Sequence, residues 1–131
     1  MRPAASFLLF LLLGVLAACG NRMPVSQERI RAEAGPGFRT PQLLEEHYRK
    51  HGAEFGGISK AEYLRRARAL RDAPPGRSVL QDTRDDGVIT KFDRRTGYFG
   101  AYNSDGSIRT FFIPNDGERY FHRQARRYDR P

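Results

Sequence analysis

The stretch VITKFDRRTGYFGAYNSDGSIRTFF, residues 88–112, decides the fold class of this 131-residue chain. Short runs of β-branched and aromatic residues alternate in it with turn sequences, a pattern typical of consecutive β-strands. Together with the residues before it, the stretch predicts four strands over residues 78–84, 88–93, 98–103 and 107–113. The turns between them contain Asp86-Gly87, Thr96-Gly97 and Asp105-Gly106. Because connections this short join antiparallel neighbours, we expect a four-stranded meander.

Two helices are predicted before the meander. The first has Thr40 as its N-cap, Pro41 at its first position and Gly52 as its stop signal. The second opens on a capping box, in which Glu62 follows Ser59 at the required spacing, and it ends at the Pro-Pro-Gly break of residues 74–76. Helices grouped before an antiparallel sheet are typical of the α+β class.

The C-terminal tail, residues 118–127, predicts either a short last helix or an arginine-rich arm. The sequence contains no internal repeat and no sign of a second folded unit. We therefore expect one small α+β domain over residues 40–131, long enough to bury a modest core.

The N-terminus, MRPAASFLLFLLLGVLAACGN, has the features of a signal peptide over residues 1–18. Its apolar run, residues 7–16, is shorter than the roughly 20 residues that a membrane-spanning helix needs. Leu16-Ala17-Ala18-Cys19 resembles the bacterial lipobox, which implies cleavage before Cys19 and a diacylglycerol on its sulfur. A lone cysteine in a secreted chain cannot form an internal disulfide, which favours lipidation over an ordinary secretory signal.

Residues 19–39 are predicted to form a flexible tether between the lipid and the domain. They are poor in apolar residues and contain Gly35-Pro36-Gly37. Gly20 and Asn21 follow the cysteine, and by analogy with bacterial lipoproteins the absence of an aspartate there favours the outer membrane. The expected localisation is the cell envelope, with the lipid on Cys19 as the membrane contact.

The chain is basic, with 23 Lys and Arg against 15 Asp and Glu and a formal net charge of +8. Only Lys50, Lys60 and Lys91 are lysine, so arginine dominates. The planar fork of arginine forms two parallel hydrogen bonds to a phosphate. The charge is compatible with a nucleic-acid or anionic-lipid partner, although codon bias in a GC-rich genome would raise the arginine content as well.

A second set of residues carries a family resemblance. It begins with Lys50-His51 and Glu54-Phe55-Gly56 and continues with Lys91-Phe92-Asp93, Thr96-Gly97, and Asp105-Gly106 leading to Ile108-Arg109-Thr110. In order and spacing these pieces resemble the tRNA-cleaving domain of colicin D, within the barnase, EndoU, colicin and RelE-like group of nucleases. The resemblance spans residues 40–113, nearly the whole predicted domain.

This resemblance implies an endoribonuclease that acts on tRNA without a metal or another cofactor. The RNA supplies its own 2′-hydroxyl as nucleophile, and the product carries a 2′,3′-cyclic phosphate. His51 would act as acid or base, because a histidine side chain titrates near neutral pH. Lys50 and Arg109 would stabilise the charged phosphorane, and Thr110 would orient the phosphate.

The resemblance has further implications for substrate and partners. Lys91 and Arg95 are additional cations in the matching stretch and are predicted to bind substrate. A toxin of this kind acts in the cytoplasm of a target cell, and we expect an acidic immunity protein that neutralises it. The chain departs from its relative at Tyr48, where the relative has an additional functional lysine one turn before the histidine. Lys50 or Arg49 could substitute for it.

Alternatives remain for both the residues and the function. His51 could simply close its helix, because an imidazolium is favourable near a helix C-terminus. With His47 it could also form half of a zinc site, although no third ligand and no HExxH glutamate are evident. The alternative function is a non-enzymatic outer-membrane lipoprotein that binds anionic envelope components or a partner protein.

Overall fold

The structure, a computed structural model, describes residues 35–128, without the side chain of Tyr128. Its helices are α1 (Pro41–His51), a 3₁₀ turn (Gly52–Phe55), α2 (Lys60–Asp72) and α3 (Glu118–Tyr128). Its strands are β1 (Val79–Thr83), β2 (Ile89–Asp93), β3 (Tyr98–Tyr102) and β4 (Ile108–Phe112). The predicted α+β class is confirmed: two helices precede a four-stranded antiparallel meander, and the tail forms a helix.

The N-terminal predictions lie almost entirely outside the described residues. The signal peptide and Cys19 belong to that part of the chain, as does the predicted tether up to residue 34. Between residues 35 and 128, no helix combines the length and the apolar character that crossing a membrane requires.

Local capping explains where the first two helices begin. The hydroxyl of Thr40 accepts a hydrogen bond from the Leu43 amide at 3.1 Å, and that of Ser59 accepts one from the Glu62 amide at 3.2 Å. Each bond satisfies one of the amide groups that the first turn of a helix leaves without a partner. Both caps occupy the positions that the sequence predicted.

Gly52 ends α1 for a reason that differs from the expected one. Its backbone is right-handed, with φ −56°, and the chain continues directly into the 3₁₀ turn. A Cβ at this position would lie 2.7 Å from the ring of Tyr48. The glycine is therefore needed for close packing, while Gly56 supplies the left-handed residue, with φ 78°, that ends the 3₁₀ turn.

The sheet follows chain order, β1-β2-β3-β4, with every neighbour antiparallel. The pairing of β3 with β4 contains one irregularity. Ala101 pairs with Thr110 and Tyr102 pairs with Ile108, so Arg109 has no residue directly opposite it. A bulge of this kind redirects the side chain of the extra residue.

The sheet is covered on both faces. One face packs against α1 and α2 through a cluster of Phe55, Tyr63, Ala67, Leu70, Tyr102, Ile108 and Phe111. The other packs against α3 through Val88, Phe92, Phe99, Ala101 and Phe121. Because neighbouring residues of a strand point to opposite faces, β3 contributes to both clusters. We call these the α2 face and the α3 face.

The outer edge of β4 is covered rather than open. The Ile108 amide donates to the Gly37 carbonyl at 2.9 Å, and the Phe111 carbonyl accepts from the Tyr63 hydroxyl. The Ile113 amide donates to the Glu54 carboxylate at 2.8 Å. An uncovered edge strand would invite pairing with another chain. Here its polar groups instead hold the N-terminal helices against the strand.

Candidate active site

Four aromatic rings form a row along β4. Phe38 stacks on His47 at a centroid distance of 4.9 Å, His47 on His51 at 6.2 Å, and His51 on Phe112 at 5.1 Å. Phe38 forms a β-bridge with Ile108, the first residue of β4, and Phe112 is the last. The row therefore extends along the whole strand, and the two histidines lie beside its middle and its end.

His51 is oriented by a carboxylate. It is the last residue of α1, and its Nδ1 lies 2.8 Å from Oε1 of Glu54 in the following 3₁₀ turn. The other oxygen of Glu54 accepts the Ile113 amide, so the carboxylate is held from both sides. A carboxylate accepts hydrogen bonds, so Nδ1 carries the proton and Nε2 is the nitrogen that can exchange one.

The surroundings of His51 leave that nitrogen available. The side chain is only 13% exposed, because its ring lies against Phe112. Within residues 35–128, Nε2 has no hydrogen-bond partner. A half-buried imidazole with one nitrogen on a carboxylate and the other unengaged has the arrangement expected of a general acid or base.

Arg109 and Thr110 lie on β4 between the two ends of the aromatic row. The Arg109 guanidinium is exposed and donates to Asn103 Oδ1 at 3.4 Å. Thr110 shares the α3 face with Phe112, because residues two apart on a strand point the same way. Lys50 is exposed immediately before His51. Of the four residues predicted to be catalytic, Arg109 and Thr110 thus lie on β4, His51 stacks on its last residue, and Lys50 precedes His51 on α1.

His47 differs from His51 in its environment. Burial lowers its pKa below 6.5, and the nearby positive charges of His51 and Lys50 lower it further. Its Nδ1 is buried and has no hydrogen-bond partner in the described part of the chain. We therefore expect His47 to be neutral at physiological pH, where it serves as a flat packing surface for His51.

Lys91 does not join this group. It pairs across the sheet with Gly100, which places its side chain on the α2 face, opposite Thr110. Its ammonium is buried and donates to the carbonyls of Arg71 at 2.7 Å and Ala73 at 2.5 Å. Burial lowers its pKa. The ammonium binds carbonyl groups at the end of α2 and so caps that helix. The contact of Lys91 with substrate stays a prediction, and the buried position of the ammonium does not favour it.

Arg95 is also separate from His51. It lies in the turn between β2 and β3, where its side chain is 81% exposed and 3.7 Å from the Asp93 carboxylate. With Arg66 and Tyr98 it lines an open cleft of about 540 Å³ between α2 and the sheet. That Arg95 binds substrate remains a prediction. Its position in this turn is away from the aromatic row.

Tyr48 occupies the position where the resemblance expects a lysine. Its hydroxyl donates to the Ile58 carbonyl at 2.6 Å, and its ring packs against Tyr63. The residue therefore joins the loop after the 3₁₀ turn to the core. Lys50 is the cation adjacent to His51 in the sequence, and it is exposed.

The sequence interpretation missed the contacts that Glu54 and Phe112 make with His51. An acidic residue three positions after a histidine is a local signal that could have suggested the contact of Glu54 with His51. Nothing in the sequence indicates that the same carboxylate binds the Ile113 amide, because the two residues are 59 positions apart. Nothing local indicates that the Phe112 ring stacks on His51.

No protein-family model matches the chain, and no curated protein matches it at a significant level. Within residues 35–128, no three His, Cys, Asp or Glu side chains are grouped so that they could hold a metal ion. The site is therefore interpreted from its own geometry.

Proposed function

We propose that this protein is a lipid-anchored bacterial toxin whose folded domain is a metal-independent endoribonuclease, with tRNA as the expected substrate. The observation that carries the proposal is the His51–Glu54 pair, held at the end of β4, the strand that also carries Arg109 and Thr110. A ribonuclease that uses the 2′-hydroxyl of its substrate needs one oriented acid–base group and nearby donors for phosphate, and this edge offers both.

In the proposed reaction, Nε2 of His51 removes the proton of the 2′-hydroxyl. The 2′-oxygen then attacks the adjacent phosphorus, and the bond from phosphorus to the 5′-oxygen breaks. The products are a 2′,3′-cyclic phosphate and a 5′-hydroxyl, and the proton taken by His51 is available to return to the leaving 5′-oxygen. Glu54 keeps the imidazole in the required tautomer and stabilises its protonated form.

The cations of the site act on the phosphate. Lys50, which precedes His51 in the sequence, and Arg109, on β4, are both exposed. Both can donate hydrogen bonds to the non-bridging phosphate oxygens as negative charge develops there. The Thr110 hydroxyl orients the same group. An acidic immunity protein that covers this edge would neutralise the toxin, because complementary charge speeds association and masks the phosphate site.

The cleavage assay uses the full chain purified in detergent, with total tRNA and excess EDTA. We expect cleavage that leaves 2′,3′-cyclic phosphate ends. His51→Ala should lower the rate by about 10²–10⁴-fold. Gln42→Ala is the matched control, because it is an exposed substitution on the same helix.

Three outcomes contradict this proposal. Equal rates for wild type and His51→Ala would remove His51 from the reaction. Cleavage only after addition of a divalent metal would exclude the side-chain mechanism. No cleavage of tRNA by any of the variants would favour the alternative, a non-enzymatic lipoprotein that binds anionic envelope components or a partner protein.

The lipid anchor has a separate test. Acylation of Cys19 would place the protein in the outer membrane, and the nuclease would act in the cytoplasm of a target cell. Mass spectrometry of the mature N-terminus should show two or three acyl chains, enough for stable anchoring. Cys19→Ser should accumulate as uncleaved precursor. A free thiol on a processed wild-type chain would rule out the anchor while leaving the nuclease proposal intact.

A further inference from the structure

The helix α3 has two faces of opposite character. Phe121 is buried against the α3 face of the sheet, and Tyr120 packs edge-on against Phe99 at 4.9 Å and Phe112 at 5.3 Å. The exposed residues recur at helical spacing on the other side. They form what we call the basic face of α3: Arg119, His122, Arg123, Arg126 and Arg127.

Part of this basic face has no acidic partner among the described residues. Arg123 is paired with Asp116, but Arg126 and Arg127 have no acidic partner among residues 35–128. Together with Gln124 they line a shallow depression of about 340 Å³. Guanidinium groups without a carboxylate partner retain all their donors for a ligand, and their planar fork matches a phosphate.

The helix that carries the basic face is connected to the candidate active site through its apolar side. Tyr120, in the first turn of α3, contacts the Phe112 ring, and the same ring stacks on His51 at 5.1 Å. Thr110 points to the sheet face that α3 covers. A helix of 11 residues is about 16 Å long. The helix that carries the basic face therefore starts next to the candidate active site, which places its arginines within reach of an RNA chain bound at His51.

The apolar face of α3 argues against a membrane as the partner. An amphipathic helix binds a bilayer by inserting its apolar side chains. Here Phe121 is buried in the domain core and Tyr120 is packed on two phenylalanines, so neither is available for insertion. What remains exposed is a rigid row of positive charge, which fits a phosphate backbone and needs no apolar contact.

We propose that the basic face of α3 binds the phosphate backbone of the RNA beside the cleaved bond, an inference that rests on the nuclease function proposed above. Arg126 and Arg127 supply the contacts farthest along the helix from His51. These contacts hold the substrate in register without reading its sequence. The face thus lowers KM for a folded RNA and leaves the chemical step to the β4 edge.

The test measures binding apart from cleavage. The probe is a fluorescent RNA stem-loop with 2′-O-methyl groups, which keeps every phosphate and lacks the nucleophile. Binding to the full chain in neutral detergent is followed by anisotropy between about 0.05 and 0.2 M salt. The variant Arg126→Gln/Arg127→Gln should bind about tenfold more weakly, and the slope of log affinity against log salt should fall by about 1.5.

The matched control is Lys60→Gln/Arg65→Gln, which removes the same charge from exposed positions of α2. Glutamine is a good helix former, so both double variants should keep their circular dichroism spectra. We expect the control to change the affinity and the salt slope much less than the α3 variant does. In the cleavage assay, the α3 variant should raise KM on tRNA and leave kcat unchanged.

Each failure is distinguishable. If the wild-type protein cleaves tRNA but both double variants lose the same affinity, the α3 proposal is wrong and the nuclease proposal stands. If α3 substitutions weaken binding but no RNA is cleaved, the nuclease proposal is wrong. If the α3 variant binds RNA normally and instead loses retention on micelles that contain phosphatidylglycerol, the surface recognises lipid and the RNA proposal is overturned.

Discussion

The two faces of the sheet use their polar groups in different ways. On the α2 face, the buried hydroxyls of Tyr63 and Tyr102 and the ammonium of Lys91 all donate to backbone carbonyls. On the α3 face, the hydroxyl of Thr90 is fully buried and has no hydrogen-bond partner in the described part of the chain. At the adjacent edge, one ring nitrogen of His51 has no hydrogen-bond partner among residues 35–128.

We expect this difference to separate the residues that determine stability from those that determine catalysis and binding. A buried donor that is paired with a carbonyl contributes to folding, and its removal leaves the carbonyl without a partner. A group that the fold leaves unpaired gives less stability, and one that is also accessible can bind a ligand. The comparison predicts that substitutions on the α2 face change the free energy of unfolding, whereas substitutions at the β4 edge and α3 change catalysis and binding.

The largest expected effect concerns the β4 edge, where the comparison predicts that substitutions change the rate of catalysis. His51→Ala should raise the activation barrier for RNA cleavage by about 3–5 kcal/mol and should lower the free energy of unfolding by less than that, because alanine is a good helix former although the ring contact with Phe112 is lost. Glu54→Gln should lower turnover less and shift the pH profile, since an amide cannot fix the imidazole tautomer as a carboxylate does. A urea midpoint that falls in parallel with activity would place His51 among the structural residues.

Lys91→Met should give the largest effect on stability. It removes two charge-assisted hydrogen bonds at the end of α2 and should lower the free energy of unfolding by about 3 kcal/mol, with turnover per folded molecule unchanged. Urea unfolding and steady-state cleavage of the same preparation measure both quantities. Unchanged stability with a raised KM would instead support the predicted contact of Lys91 with substrate.

A pair of isosteric substitutions compares the two faces directly. Tyr63→Phe should destabilise the domain by about 1–3 kcal/mol, because the Phe111 carbonyl loses its buried donor. Thr90→Val should be neutral or stabilising, because it removes a buried hydroxyl that has no partner among the described residues. The measurement is the shift in the urea midpoint of unfolding. Equal destabilisation by both substitutions would mean that the two faces do not differ in how their buried hydroxyls are paired.

The smallest expected effect is a pH dependence at His47. Its pKa is lowered in the folded state, first by burial and then by the charges of His51 and Lys50. The unfolded chain therefore binds this proton more readily, so the stabilising contribution is complete above pH 6.5 and is lost as the pH falls below it. His47→Gln should reduce the loss of stability between about pH 7.5 and pH 5.5. An unchanged pH dependence in the variant would contradict this assignment.

Much of the fold could be predicted because its signals are local. The helix caps at Thr40 and Ser59 act within three residues, and the turns of the meander depend on neighbouring positions such as Gly87 and Gly97, whose φ angles are 78° and 74°. The predicted strands differ from the observed ones by about one residue at each end. The backbone preferences of neighbouring residues were sufficient to predict the helix starts, the turns and the strands.

The site was predictable only in part. His51, Arg109 and Thr110 were predicted from the order and spacing of a family resemblance, and their catalytic roles stay predictions; the structure shows that Arg109 and Thr110 lie on β4 and that His51 stacks on the last residue of that strand. Lys91 belonged to the same pattern, yet its strand position directs it to the opposite face, where the end of α2 takes up its ammonium. Which face a strand residue occupies is known only when the strand is packed between its two layers.

The sequence by itself determined the class of the fold, the positions of the caps and turns, and the amphipathic spacing of α3, because each depends on residues close in the chain. The tertiary structure alone decided three further points: that Glu54 is held by the Ile113 amide, that Phe112 joins His51 to α3, and that the apolar side of α3 is already covered. These contacts join residues as far apart in the chain as His51 and Phe112, which are 61 positions apart, and only packing of the complete sheet brings them together.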